Sequence, residues 1–207
     1  MPGRGCRRGC GCCLLSPLLL LVLAALAFHA AVTPPAYAPV RPSAPPALSA
    51  SMAAAVGQAY AMRRPVAVLL LTDGEATALV DASLGAGFPL RDLQVHVLAG
   101  RLLVLGTTRV LGHAVVLGGQ VRLRPLGGSR MAMHLVGVSV GQIGLPTFMV
   151  PLLARLVPQE LSLPASTDRI PLRVQCVVAR PGRLSVALRL GGGAATGAGA
   201  GICAGAA

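Results

Sequence analysis

Apolar and polar positions change period several times along the chain, and each change predicts an element. Residues 14–32 run without a charge, broken only by Ser16, Pro17 and His29. A bilayer crossing takes roughly 20 apolar residues, so this stretch is just long enough. Residues 49–62 are alanine-rich and free of proline, which favours a short helix. Arg63-Arg64-Pro65 ends it, because the residue before proline avoids the α region. Residues 66–71 are apolar throughout, at strand length. Thr72-Asp73-Gly74-Glu75 then reads as a capping box, opening a helix whose apolar face is Ala76, Leu79 and Val80 and which stops near Gly85-Ala86-Gly87.

From there the period becomes two. Leu93, Val95 and Val97 alternate with Gln94 and His96 before a turn at Ala99-Gly100. Residues 102–105 and 115–117 are apolar at every position. Val121 and Leu123 alternate with Arg122 and Arg124, and Met131, Met133 and Leu135 with Ala132 and His134; residues 135–140 hold one polar side chain, Ser139. Residues 146–157 read as a second helix, with Pro146 in its first turn and Phe148, Met149, Leu152, Leu153 and Leu156 on one face; Pro151 implies a kink or a late start. A hairpin closes the pattern, pairing Val174, Cys176 and Val178 with Leu184, Val186 and Leu188 around Ala179-Arg180-Pro181-Gly182. No repeat of fixed period occurs. The pattern predicts an α+β domain, a curved antiparallel β-meander with a few helices.

Strands 102–105, 115–117 and 135–140 are apolar on both faces, whereas an antiparallel sheet usually wets one. Either a ligand lies on the second face, as in an acyl-chain groove, or the sheet curls onto its own core. The groove reading makes Leu102, Val104, Val115, Leu117, Val136, Val138 and Val140 lipid-facing, with Phe148, Met149, Leu152 and Leu153 as the helical wall.

The N-terminus says where such a domain sits. Residues 1–13 carry Arg4, Arg7 and Arg8 and no acid, so with the apolar run they read as a basic cytoplasmic flank before a secretory signal or signal anchor. Ala25-Leu26-Ala27 and Ala36-Tyr37-Ala38 are small-x-small cleavage candidates. The first cuts inside the apolar run and the second precedes Pro39, so an uncleaved anchor is favoured. Residues 33–47 carry Pro34, Pro35, Pro39, Pro42, Pro45 and Pro46 and predict a semi-extended linker. Residues 191–207 are almost wholly glycine and alanine and predict a disordered tail. The folded, extracytoplasmic part is then residues 48–190.

Charge narrows the partners. The chain carries +12, and all 18 basic residues are arginine. Residues 48–190 hold 14 arginines against 6 acids, or +8. With only three phenylalanines, two tyrosines, no tryptophan and scattered arginines, the stacking platform of a nucleic-acid reader is missing. A weak attraction to anionic phospholipid headgroups fits better. Cys6, Cys10, Cys12 and Cys13 precede the apolar run in no standard zinc spacing, and no cysteine follows it as in a lipoprotein. Cys176 and Cys203 are expected to stay unpaired, since Cys203 lies in the loose tail.

No chemistry stands out. Gly137-Val138-Ser139-Val140-Gly141 matches G-x-S-x-G, but valines flank the serine within a strand and the last histidine, His134, lies upstream of it. Asp73 and Glu75 are accounted for by the helix cap. His96, His113 and His134 stand singly, and no glycine pair precedes the Gly-Lys-Ser/Thr of a phosphate loop. Neither an enzyme nor a cofactor nor a metal is expected.

The order of pieces resembles the small membrane-anchored bacterial proteins of the LmeA/YpmS-like group. The resemblance rests on Leu71-Thr72-Asp73-Gly74-Glu75-Ala76-Thr77-Ala78-Leu79-Val80, on Val95-x-Val97 with Gly100-Arg101-Leu102-Leu103-Val104-Leu105-Gly106, on Ile143-Gly144-Leu145-Pro146 and on Pro181-Gly182-Arg183-Leu184. It covers roughly residues 66–190 and departs at Gly74 and Pro151, inside predicted helices. It implies a TULIP-like elongated half-barrel and lipid binding without chemistry.

Overall fold

A computed structural model describes residues 10–84, 88–110, 112–155, 157–163, 172–191 and Cys203. In chain order the elements are α1 (Cys10–Val32), α2 (Pro45–Ala61), β1 (Val66–Thr72), α3 (Asp73–Leu84), β2 (Arg91–Leu98), β3 (Arg101–Val110), β4 (His113–Gly127), β5 (Arg130–Val140) and β6 (Ile143–Gly144). A 3-10 turn (Thr147–Met149), α4 (Val150–Ala154), β7 (Glu160–Ser162), β8 (Leu172–Arg180) and β9 (Arg183–Leu190) follow. The fold is α+β with antiparallel sheets. The expected meander runs β2-β3-β4-β5-β6, with β7 beside β5; β1 joins the closing hairpin in a second sheet ordered β1-β9-β8.

That second sheet unites the two ends of the domain. Ala67, Leu69 and Leu71 lie opposite Leu188, Val186 and Leu184, and all six are at most 2 % exposed. Alternate positions turn outward: Leu70 is 56 % exposed although its run is apolar throughout. In the β8–β9 hairpin the expected partners hold only for Val174, opposite Leu188. A bulge between Val174 and Cys176 shifts the register, so Val177 rather than Cys176 faces Val186, and Ala179 faces Leu184. A bulge adds one residue to one strand and reverses the facing of everything beyond it, which alternation alone does not reveal.

The helices start where local chemistry allows. α2 begins at Pro45, earlier than its alanine run implies, because proline is tolerated in a helix's first turn. α3 opens on the expected capping box. The Glu75 amide donates to Thr72 Oγ1 at 3.4 Å, and the Thr72 amide and hydroxyl each donate to Glu75 Oε2 at 2.9 Å. Its far end, at residues 85–87, lies outside the described residues. Leu48, Met52, Val56 and Ala59 of α2 and Ala76, Leu79 and Val80 of α3 join the inward residues of both sheets in one core.

The proline-rich stretch is more than a spacer. Residues 33–40 run over the six-stranded sheet on the side away from the core, and the chain then reaches α3. The Tyr37 ring lies 5.1 Å from that of His96, the Val40 amide donates to Gln94 Oε1 at 3.2 Å, and the Ser43 amide donates to the Gly74 carbonyl of α3 at 3.0 Å. The end of α1 is fixed to the same sheet. The Gln142 amide donates to the Ala30 carbonyl at 3.0 Å, and Phe28 meets His113 edge-on. Gly141 packs against the Ala31 carbonyl at φ +56°, leaving no room for a Cβ. N-terminal to that contact, residues 19–29 are all exposed. No helix is long and apolar enough to cross a membrane among the residues whose side chains are described, which in α1 begin at Leu19.

Candidate functional site

Strand register decides which of the apolar residues lie together. Val97, Leu102 and Val121 are opposite one another across β2, β3 and β4, as are Val95, Val104 and Gly119. Gly119 continues to Val138 on β5, and Leu117 to Val140. Leu102, Val104, Val115, Leu117, Val138 and Val140 therefore share one face of the six-stranded sheet, as the groove reading requires.

That face is closed over only part of its area. Val95, Val97 and Leu102 are at most 2 % exposed and belong to the core shared with α3 and β9. Leu102 is thus a core residue, not a groove wall. Val115 is likewise buried. Val104 packs against the core's margin, while Leu117, Leu135, Val138 and Val140 are half-buried and outside the core cluster. Val136 leaves the set. The pairing steps from Gln120–Gly137 to Val121–Leu135, so a bulge leaves Val136 unpaired on this side and 39 % exposed.

The helical wall is shorter than the apolar spacing implies. A 3-10 turn carries Phe148 and Met149, and α4 starts only at Val150 with Pro151 in its first turn, the late start that proline imposes. Phe148 is 73 % exposed and Leu152 63 %, with Met149 and Leu153 half-buried. Leu156 lies outside the described residues. A cleft of about 390 Å³ opens where the segment after α4 returns along β5; Val121, Met133, Leu135, Ala154 and Val157 line it, with Glu160 at its rim.

The opposite face explains the rest of the two-sided apolarity. Leu103 and Leu105 are 4 % and 7 % exposed. Leu105 lines a small cavity with Pro34, Pro35, Tyr37 and Pro39, so the chain's own proline-rich segment is the cover over this side. Near β5 the same face is filled by close approach: a Cβ on Gly118 would collide with the Ser139 hydroxyl.

Ser139 sits inside β5, paired with Gly118 on one side and Gly144 on the other, with none of the sharp turn that exposes a nucleophile. His96 is three strands away, about 14 Å at the usual strand spacing. Its Nδ1 lies 4.0 Å from Asp73, whose other carboxylate oxygen accepts the Val97 amide at 3.0 Å; its Nε2 is buried with no hydrogen-bond partner among the described residues. Glu75 also accepts from the Ser51 hydroxyl at 2.6 Å. Burial pushes its pKa up, but the hydrogen bonds from Ser51 and Thr72 outweigh that and hold it below the usual glutamate range. Among the described residues no three His, Cys, Asp or Glu side chains converge as metal ligands.

Two features were not foreseen. Cys176 and Cys203 form a disulfide with their Cα atoms 6.0 Å apart, so at this one point the glycine-alanine tail is tied to β8; its other residues beyond Gly191 lie outside the described residues. Arginines far apart in sequence, Arg101, Arg122, Arg124 and Arg180, meet on a second cleft at the hairpin tips. No family model matches the chain, and neither a curated protein nor a solved structure matches it.

Proposed function

We propose that this chain is a membrane-tethered, extracytoplasmic lipid-binding protein that holds acyl chains against the half-closed face of its six-stranded sheet. The observation that carries this reading is the unfinished burial of Leu117, Leu135, Val138 and Val140. These side chains are ordered by register on one face, yet the core stops short of them. An acyl chain laid there gains about 0.8 kcal/mol for each methylene removed from water. Phe148 and Leu152 are exposed on the segment beside β5 and would close over such a chain.

Two observations support the location. The exposed part of α1, residues 19–29, holds no Asp, Glu, Lys or Arg and is apolar apart from His29, which suits a lipid environment. The Cys176–Cys203 bond suits an oxidising compartment. The resemblance to LmeA/YpmS-like proteins and their TULIP-like half-barrel belongs to the same proposal. A second reading, a ligand-free envelope interaction domain, draws on the proline-rich cover over Leu105, because there the chain itself supplies the missing partner.

Native mass spectrometry of the full-length protein separates them. The lipid reading expects a bound lipid that Val138→Arg removes while Leu20→Ala, on the exposed part of α1, keeps it. Parent protein that carries no lipid, or lipid retained equally by Val138→Arg, sinks the proposal.

A further inference from the structure

The cleft at the hairpin tips has a chemistry the acyl-chain face lacks. It measures about 730 Å³ and lies between the β2–β3 turn, residues 122–124 of β4 and the β8–β9 hairpin. Its walls are held rigidly. The Gly100 amide donates to the Ala179 carbonyl at 3.0 Å, and the Gly182 amide to the Val97 carbonyl at 2.9 Å, so the two sheets are stitched together at this end. Four arginines line it, Arg101, Arg122, Arg124 and Arg180, and among the described residues no acid does. Among the described residues the one arginine–carboxylate pair is Arg130–Glu160, so none of the four is neutralised by a carboxylate. Arg101 donates to Gln120 Oε1 at 2.9 Å, a neutral partner that orients the guanidinium and leaves its charge. Its accessible apolar lining is Leu123 and Val177, both half-buried, over Leu102 and Leu184 of the core.

Four arginines lining one cleft concentrate positive charge that salt screens only over a Debye length of about 8 Å at physiological salt. A polyanion neutralises it. A single carboxylate leaves most of the charge unmatched, whereas a phosphomonoester brings about −1.5 to −2 and oxygens suited to the planar guanidinium fork. We infer that this cleft is a phosphate-binding site, taking the phosphate of a phosphomonoester whose apolar part rests on Leu123 and Val177. The site is lined by residues other than those of the half-buried strip and does not depend on acyl chains being bound there. The same chemistry is offered by the headgroup of a lipid such as phosphatidic acid and by a soluble phosphate.

Calorimetric titration of the full-length protein in a neutral detergent tests this, with inorganic pyrophosphate and dihexanoyl phosphatidic acid as probes and dihexanoyl phosphatidylcholine as the zwitterionic comparison. Saturable binding of either phosphate probe is expected, and tighter binding of phosphatidic acid assigns the source to lipid. Arg122→Gln with Arg124→Gln should weaken Kd at least about tenfold, since a charge-assisted hydrogen bond contributes about 1.5–3 kcal/mol. Arg63→Gln with Arg64→Gln, which removes the same charge elsewhere, should leave it within about twofold. If the first pair melts early, Arg101→Gln with Arg180→Gln on the facing walls gives the same readout. Equal weakening by the Arg63 and Arg64 pair would reduce the effect to net charge and overturn the site, as would absence of saturable binding or equal affinity for phosphatidylcholine.

Discussion

The Tyr37 ring lies 5.1 Å from the ring of His96, 59 positions later in the chain, and this contact holds the proline-rich segment on the outer face of the six-stranded sheet. An aromatic pair contributes about 0.5–1.5 kcal/mol beyond its buried area. Tyr37→Ala should therefore lower the melting temperature modestly and loosen residues 33–44. Elastase cleavage after Val40 should become faster at temperatures well below the melt. Cleavage at the parent rate would show that the segment is held by other contacts.

Paired substitutions on neighbouring residues separate the two faces. Leu103 is 4 % exposed on the face that the proline-rich segment covers, and Leu103→Arg should unfold the domain or strip that segment away. Val104, at the margin of the core on the opposite face, is half-buried, so Val104→Arg should stay folded in a thermal melt and lose bound lipid. Ser139→Arg and Val138→Arg should behave in the same two ways, because the Ser139 hydroxyl already fills the space over Gly118. Unfolding by both members of each pair would show the sheet packed on both sides.

The Cys176–Cys203 bond closes a loop with a sequence separation of 27, which in the chain-entropy account stabilises by up to about 3.5 kcal/mol. Reductant should lower the melting temperature of the parent and leave Cys176→Ser unmoved. The two thiols should also resist alkylation until the protein is reduced.

Glu75 supplies the pH dependence. Its folded pKa lies below its unfolded value, so its contribution is fully present above the unfolded value, about 4.3, and is lost as pH falls through the folded one. Melts of the parent should weaken across that acidic window. Glu75→Gln should be less stable near neutrality and show a shallower decline, and identical pH slopes for the two proteins would contradict the cap's role.

The local elements were written into residues close in sequence. Thr72 and Glu75 cap α3 because a hydroxyl and a carboxylate three positions apart reach each other's backbone. The alternation in β2 to β5 sets which side chains share a face, since strand period is two whatever lies around it. Charge-free residues 14–32 specify an apolar helix by the same local logic. Three things waited for tertiary structure. The bulges at Val136 and after Val174 change facing through pairing, and pairing is a property of two strands. The cover over Leu105 comes from proline-rich residues about 70 positions away, where composition says only that the segment is extended. The arginine cleft and the Cys176–Cys203 bond likewise join residues that no periodicity relates. Hydrophobic pattern determines which face of an element turns inward; only the packed chain decides how far that inward face is covered, and by what.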